Sequence, residues 1–365
     1  MTPRKFAIGL IIAGGAMFAG TVIANVVIDP HAVFGTKIFP PANANQRFVV
    51  FEEWRHNRAS VDALLFGSSH GYALDEKYLA ERMGVEGLNS QIVPGGAITD
   101  HVPILSYVLR HQEASGRRIR KVLLLVDIDS IGGYPCTDVA INCLLPPQVT
   151  GASRVNFWWR YLTAVKVANW RSATRRFIAG EDNPPNRYMP PPGLDLVADA
   201  ADVIAAEGRP KDGHAPAGSK LRQFSPLPVE PTDAAARVRS HWVTRRPNLD
   251  RHFALLEKFV QLCAEHGVQL TVATTPIERS KLDSFTPGDL EAVRERLNRI
   301  TDLWDFSMPG LVSDRPELWI DTGHYKPAIG TMMIVRMFGG SAPVFPGFGR
   351  FLPRLTDPPK SAAAK

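Results

Sequence analysis

Two segments near opposite ends of the 365-residue chain hold the residue types that acyl transfer needs. The first, Phe66-Gly67-Ser68-Ser69-His70-Gly71, leaves an apolar run through small residues and one titratable one. A serine on such a turn presents its hydroxyl, but it is a poor nucleophile until a nearby base takes its proton. The second, Trp319-Ile320-Asp321-Thr322-Gly323-His324-Tyr325, sets an aspartate three residues ahead of a histidine. At that spacing the carboxylate can orient the imidazole through one ring nitrogen and leave the other to accept a proton. Each segment alone has a plainer reading, because Gly-Ser turns are ordinary after strands and Asp-His pairs are ordinary on surfaces. Taken together, Ser69, His324 and Asp321 form a candidate catalytic set.

The elements around these segments must bring them to one place. Apolar runs predict strands at 61–66, near 86–89, at 121–127 and at 268–273. Amphipathic stretches predict helices around 99–114, from 249 to Gly267, from Thr286-Pro287 onward, and after Pro327. Phe253, Leu256, Phe259, Val260 and Cys263 share one helical face; Leu290, Val293, Leu297 and Ile300 share another. Strands that are apolar throughout are covered on both faces. The alternation therefore predicts an α/β class: three layers, α/β/α, around a mainly parallel sheet. Ligands of such sheets bind beyond the carboxyl ends of the strands, which is where Ser69 falls.

The stretch from 130 to 248 interrupts the alternation. Residues 156–177 read as a helix in which Trp158, Trp159, Tyr161, Leu162, Val165 and Trp170 alternate with Arg160, Lys166, Arg171, Arg175 and Arg176. Core packing is the ordinary reason for such a stripe; a sugar platform and a membrane-surface helix are the others. Residues 181–248, rich in proline and poor in large apolar side chains, read as a loop or lid. Residues 341–365 read as an irregular tail.

At the N-terminus, Phe6 to Ile28 contain no charge, enough apolar chain to cross a bilayer as a helix. Arg4 and Lys5 place the N-terminus in the cytoplasm and the chain after Asp29 outside it, so the expected location is the cytoplasmic (inner) membrane, single-pass. A cleaved signal peptide has a shorter apolar region, and Ala42-Asn43-Ala44 lies far beyond this one. Ala16 and Gly20 form a small-xxx-small pair that can meet another membrane helix. The net charge of +6 is spread widely and points to no nucleic acid. The three cysteines lack zinc-like spacing, so no metal is expected; Cys136 and Cys143 can pair in an oxidising compartment, and Cys263 reads as core.

With these blocks the chain resembles the SGNH, or GDSL-like, hydrolase superfamily. The family's first block is matched by Gly67-Ser68-Ser69 and its last, Asp-x-x-His, by Asp321-Thr322-Gly323-His324. The resemblance spans 60–129 and 249–338 and implies a flavodoxin-like sheet and a Ser-His-Asp serine esterase or O-acyltransferase without cofactor. The chain departs from the pattern at Ser68, where the family has Asp. Its 89–96 stretch, Asn-Ser-Gln-Ile-Val-Pro-Gly-Gly, matches the second block only loosely. Asp127-Ile128-Asp129 stands where the third block has Asn, and an ionised carboxylate cannot donate to an oxyanion. Backbone N–H groups of Ser69 and of Gly95 or Gly96 are then the expected oxyanion donors. Ser68, His70, Asp127 and Asp129 are candidate pocket residues, His70 at most behind the pocket wall. His101, His111, His252 and His266 read as surface or capping residues.

The N-terminal anchor and Ile28-Asp29-Pro30 make the chain similar to the membrane-anchored branch that includes the alginate O-acetylation proteins and the D-alanyl transfer protein of teichoic acid synthesis. That resemblance implies an exported polysaccharide, or another acyl-bearing glycan, as partner, together with a multi-spanning membrane acyltransferase. The alternative is a non-catalytic scaffold that holds a polymer or recruits such an acyltransferase. The expected organisation is a cytoplasmic 1–5, an anchor at 6–28, an extended lead-in at 29–59, one extracytoplasmic domain at 60–340 with an insertion at 130–248, and a tail at 341–365.

Overall fold

The computed structural model describes residues 2–112, 117–128, 131–132, 140–181, 189–190, 193–205, 248–286 and 288–355. They divide into two compact units, Met1–His56 with Cys136–Pro185, and Asn57–Pro135 with Asn186–Lys365.

The first unit is built on α1 (Pro3–Ile28), three residues longer at its start than the apolar run. Thr2 caps it, and Pro3 occupies the first turn, where its missing N–H costs nothing. The helix stops at Asp29, which is left-handed (φ 43°) and precedes Pro30. The Asp29 carboxylate then accepts the N–H groups of Val33, Phe34 and Gly35 at 2.8–3.0 Å, which turns the chain back. The expected extended lead-in is therefore a tight loop followed by α2 (Gln46–Asn57). After α5 (Pro147–Thr150), the basic aromatic stretch forms two helices, α6 (Arg154–Thr163) and α7 (Val167–Ile178), broken at 164–166. Phe157 and Tyr161 of α6 pack with Val33 and Phe48 of the lead-in. Residues 140–181 thus group with α1 rather than with the second unit. Cys143 is disulfide-bonded; Cys136, its expected partner, lies outside the described residues.

The second unit carries a six-stranded sheet in the order β2-β1-β3-β4-β5-β8. The strands are β1 (Ala63–Gly67), β2 (Leu88–Ile92), β3 (Lys121–Val126), β4 (Gln269–Thr274), β5 (Leu303–Asp305) and β8 (Arg350–Leu352); all neighbours pair in parallel except β5 and β8. A two-stranded ribbon, β6 (Trp319–Asp321) with β7 (His324–Tyr325), lies outside that sheet.

Helices cover both faces. Leu65, Leu123 and Leu125 share a core cluster with Leu79 of α3 (Glu76–Met83), Ala200 of α8 (Leu196–Ala205), and Ile329, Met332 and Met333 of α12 (Pro327–Phe338). Phe66, pointing to the opposite face, meets Phe259 of α9 (Leu249–Glu265) edge to face at 5.4 Å. On that side α4 (Ile98–His111) packs on α9. The chain between β4 and β5 holds α10 (Arg279–Leu282) and α11 (Asp289–Ile300). Cys263 is core as expected, and burial pushes its thiol up to about 12.

Two expectations need correction here. The 181–248 stretch contains α8, which packs on α12, while 206–247 lies outside the described residues. The 341–365 tail is not irregular throughout: Phe345 and Phe348 are buried, and β8 closes the sheet edge beside β5.

Candidate active site

The strand order reverses between β1 and β3, and a ligand crevice opens at the carboxyl ends of strands at such a point. Gly67 ends β1, and Ser69 opens the short 3₁₀ turn Ser69–Ala73. Ser68 caps this turn, its Oγ accepting the His70 N–H at 3.2 Å. Gly71 lies so close to the sheet that a Cβ there would sit 2.4 Å from Ile92 Cδ1 and 3.0 Å from Leu125 Cδ1. Small residues in Gly-Ser-Ser-His-Gly thus let the turn fold down onto the strand ends, with the hydroxyl of Ser69 left on the crevice side.

The histidine segment arrives on the β6–β7 ribbon, directly before α12. Gly330 in the first turn of α12 packs against the backbone of the serine turn, where a Cβ would sit 2.2 Å from the Ala73 carbonyl oxygen. One helix therefore locks the two distant segments together. His324 Nε2 lies 2.9 Å from Ser69 Oγ, and His324 Nδ1 lies 2.8 Å from Asp321 Oδ1. The same carboxylate oxygen accepts the N–H groups of Gly323 and His324, both at 2.9 Å, so Asp321 is fixed before it fixes the imidazole. The side chains of His324 and Asp321 are 18% and 34% exposed, enough for a substrate to reach them. Burial holds the His324 imidazole below the usual histidine range; the Asp321 carboxylate opposes this, and His70 and Lys281 reinforce it.

His70 is closer to the chemistry than its place on the turn suggests. Its Nδ1 lies 2.8 Å from Asp127 Oδ1, just past the end of β3, and Thr275 Oγ1, just past β4, donates to the same oxygen at 2.7 Å. Asp127 therefore anchors a second imidazole. Burial, with the Asp127 carboxylate adding to it, holds the fully buried Tyr325 phenol well above its ordinary range.

Of the other expected pocket residues, Gly96 lies against the end of β1, but its N–H is engaged by the Val93 carbonyl at 2.9 Å. Gly95 takes a left-handed conformation (φ 61°) in the same turn. Ser68 is buried as a cap. Asp129 lies outside the described residues. Among the described residues none bonds the Ser69 N–H, which leaves it as a main-chain donor at the nucleophile.

Sequence reasoning missed Thr275 and Lys281. Lys281 Nζ and His70 Nε2 both converge on Gly323, 3.5 and 3.6 Å from where its Cβ would be. Thr275 was discoverable as a polar residue at the end of a predicted strand, whereas nothing local marks Lys281. His101 and His252, expected at the surface, are buried instead. Both line a cavity of about 40 Å³ beside Asp127, large enough for a water, and His252 Nδ1 accepts the Gly132 N–H at 3.0 Å. No group of three or more His, Cys, Asp or Glu among the described residues is placed to hold a metal ion.

No protein-family model matches the chain, and no curated protein matches it.

Proposed function

We propose that this protein is a membrane-anchored serine acyl-ester enzyme working outside the cytoplasm, an O-acetyltransferase or acetylesterase of an exported polysaccharide. The observation that carries the reading is the continuous relay Ser69 Oγ to His324 Nε2 and His324 Nδ1 to Asp321, at 2.9 and 2.8 Å. Three groups of these types in hydrogen-bond reach are what a hydroxyl nucleophile requires. The strand order 2-1-3-4-5 is that of flavodoxin-like sheets, and with the Gly-Ser-Ser and Asp-x-x-His segments it supports the SGNH resemblance. The apolar α1, with Arg4 and Lys5 in its first turn, supports an inner-membrane anchor with the sheet unit on the trans side.

In the proposed reaction Ser69 Oγ attacks the ester carbonyl carbon while His324 Nε2 takes its proton. The carbonyl oxygen becomes the oxyanion, facing the Ser69 N–H. Collapse breaks the bond to the leaving alkoxide, which recovers the proton from His324, and the acyl group stays on Ser69. A carbohydrate hydroxyl or water then gives its proton to His324 and attacks the acyl carbon; collapse breaks the bond from that carbon to Ser69 Oγ, which takes the proton back from His324. Because acyl thioesters are cytosolic, a transferase outside the cytoplasm needs a multi-spanning partner to deliver acyl groups; an esterase needs only water.

One observation favours a non-catalytic scaffold as the second reading: the Gly96 N–H is committed to its turn and no Asn follows β3, so the oxyanion has few donors. Turnover of an aryl acetate by the full chain, beside Ser69→Ala and His324→Ala, separates the two. The enzyme reading expects each variant to lose about 10³-fold or more. Equal, near-zero turnover in all three would sink it.

A further inference from the structure

The first unit leaves a band of apolar side chains uncovered on α6, α7 and the link between them. Val155, Val165 and Ile178 are 79%, 66% and 78% exposed, and Trp159 is 53% exposed. In water a patch of this kind marks an interaction surface.

The depth of α1 identifies what covers it. At about 1.5 Å per residue, Phe6 to Asn25 spans about 30 Å, the thickness of a bilayer's hydrocarbon core. Asn25 is the one buried residue of α1, and it is the point at which α6 and α7 are tied on. Its Nδ2 donates to the Leu162 and Ala164 carbonyls at 2.9 and 3.0 Å, and its Oδ1 accepts the Trp170 Nε1–H at 2.8 Å. Up to Gly20 every described residue of α1 is exposed, and shielding begins at Thr21. Trp159 reaches still further down, its ring 5.7 Å from that of Phe18. Phe18 precedes Asn25 by about 10 Å along the axis, the depth to which interfacial helices bury their apolar faces, about 5–10 Å.

The polar side chains agree with this placement. A shallow groove of about 440 Å³ on α7 is lined by Val167, Trp170, Arg171, Thr174, Arg175 and Ile178. It is mostly apolar with two guanidinium groups among the lining side chains, a combination that suits an acyl chain below a phosphate.

We propose that α6 and α7 form an interfacial collar around the emerging end of α1, with Val155, Trp159 and Ile178 among the acyl chains of that leaflet and Arg171 and Arg175 at its phosphates. The collar rests on α1 spanning the bilayer, and it holds whether or not Ser69 is catalytic.

The test uses the full chain in nanodiscs of phosphatidylethanolamine and phosphatidylglycerol, spin-labelled one site at a time through V155C, V165C and I178C. I12C on α1 and E257C on the exposed face of α9 serve as references. Relaxation by oxygen, which concentrates in lipid, is compared with relaxation by a water-soluble nickel chelate. At 155 and 178 the oxygen-to-nickel ratio should be severalfold above that at 257 and below that at 12. Ratios equal to that at 257 would overturn the collar by placing the band in water. Exclusion of both reagents would overturn it in favour of a protein partner. A water-like ratio at 12 would remove the span itself, and the collar with it. Three exposed label sites guard against one variant that fails to fold.

Discussion

His70 and His324 face each other edge to face, with ring centroids 5.4 Å apart and planes at 70°. One imidazole is held by Asp127 and the other by Asp321, so two carboxylate-anchored histidines share one crevice. A proton on His70 puts a like charge beside His324 and disfavours its imidazolium form.

This arrangement gives a pH prediction. His324 works as a base only when neutral, and burial, with His70 as a lesser cause, holds its imidazole below the usual histidine range. The acid limb of kcat/KM for aryl acetate hydrolysis should therefore lie below pH 6.5, the ordinary histidine value. In His70→Gln the like charge is gone, the imidazolium is less disfavoured, and the limb should move to higher pH. A limb that stays in place would show that His70 does not act on His324 electrostatically.

Asp321 does two jobs that one substitution can separate. Its Oδ1 holds the Gly323 and His324 N–H groups as well as the ring nitrogen. Asparagine can keep the backbone bonds but lacks the charge that stabilises the imidazolium. Asp321→Asn should retain the thermal stability of the parent while kcat falls by up to about 10⁴-fold, the loss seen when a triad aspartate becomes asparagine. Thermal unfolding and steady-state kinetics on the same preparation check both halves.

The same residues show what a sequence can reveal. β1 and β3 are apolar runs buried on both faces, and α9 and α11 carry plain 3.6-residue stripes, so the layered sheet was legible, as was the Ser69/His324/Asp321 set. The strands β5 and β8 have three residues each and the β6–β7 ribbon five in all, too few for any period to emerge. The His70–Asp127 pair joins positions 57 residues apart, and only the parallel pairing of β1 with β3 makes them neighbours. The aromatic stripe of 156–177 was visible, but its partition between packing on the lead-in and exposure is set by contacts with α1, the loop after it and α2, which no local pattern encodes.

The serine turn should tolerate no added side chain on either packed side, at Gly71 against the sheet or at Gly330 of α12 against the turn. At Gly71 an added Cβ meets Ile92 Cδ1, the end of a side chain that can rotate away. At Gly330 it meets the Ala73 carbonyl, which is backbone and cannot. Gly71→Ala should cost about 1–3 kcal/mol, as overpacking usually does, and Gly330→Ala should cost more. Both should lower kcat, because each displaces Ser69 from His324; denaturant midpoints and turnover measured together would show whether the order holds.

Asp62 sets the acid edge of the sheet unit's stability. Its side chain is 1% exposed, accepts the Gly87 N–H at 3.0 Å, and pairs with Arg120 and Arg117. Burial pushes the carboxyl up, but the Gly87 N–H and the two guanidinium groups outweigh it and leave it below the usual carboxylate range. A carboxyl with a depressed folded value adds stability that is fully present above the unfolded value of 3.8 and is lost as pH falls through the folded one. Asp62→Asn should therefore destabilise the protein at pH 7, by about 1–3 kcal/mol given that Arg120 is largely exposed. Below pH 3.8 the gap should narrow, because the unfolded chain's carboxyl then takes up a proton that the native one takes up only at its lower value. Denaturant unfolding of parent and variant at pH 7 and pH 3 reads the difference directly, and a gap that is unchanged between the two would mean that Asp62 contributes no charge-dependent stability.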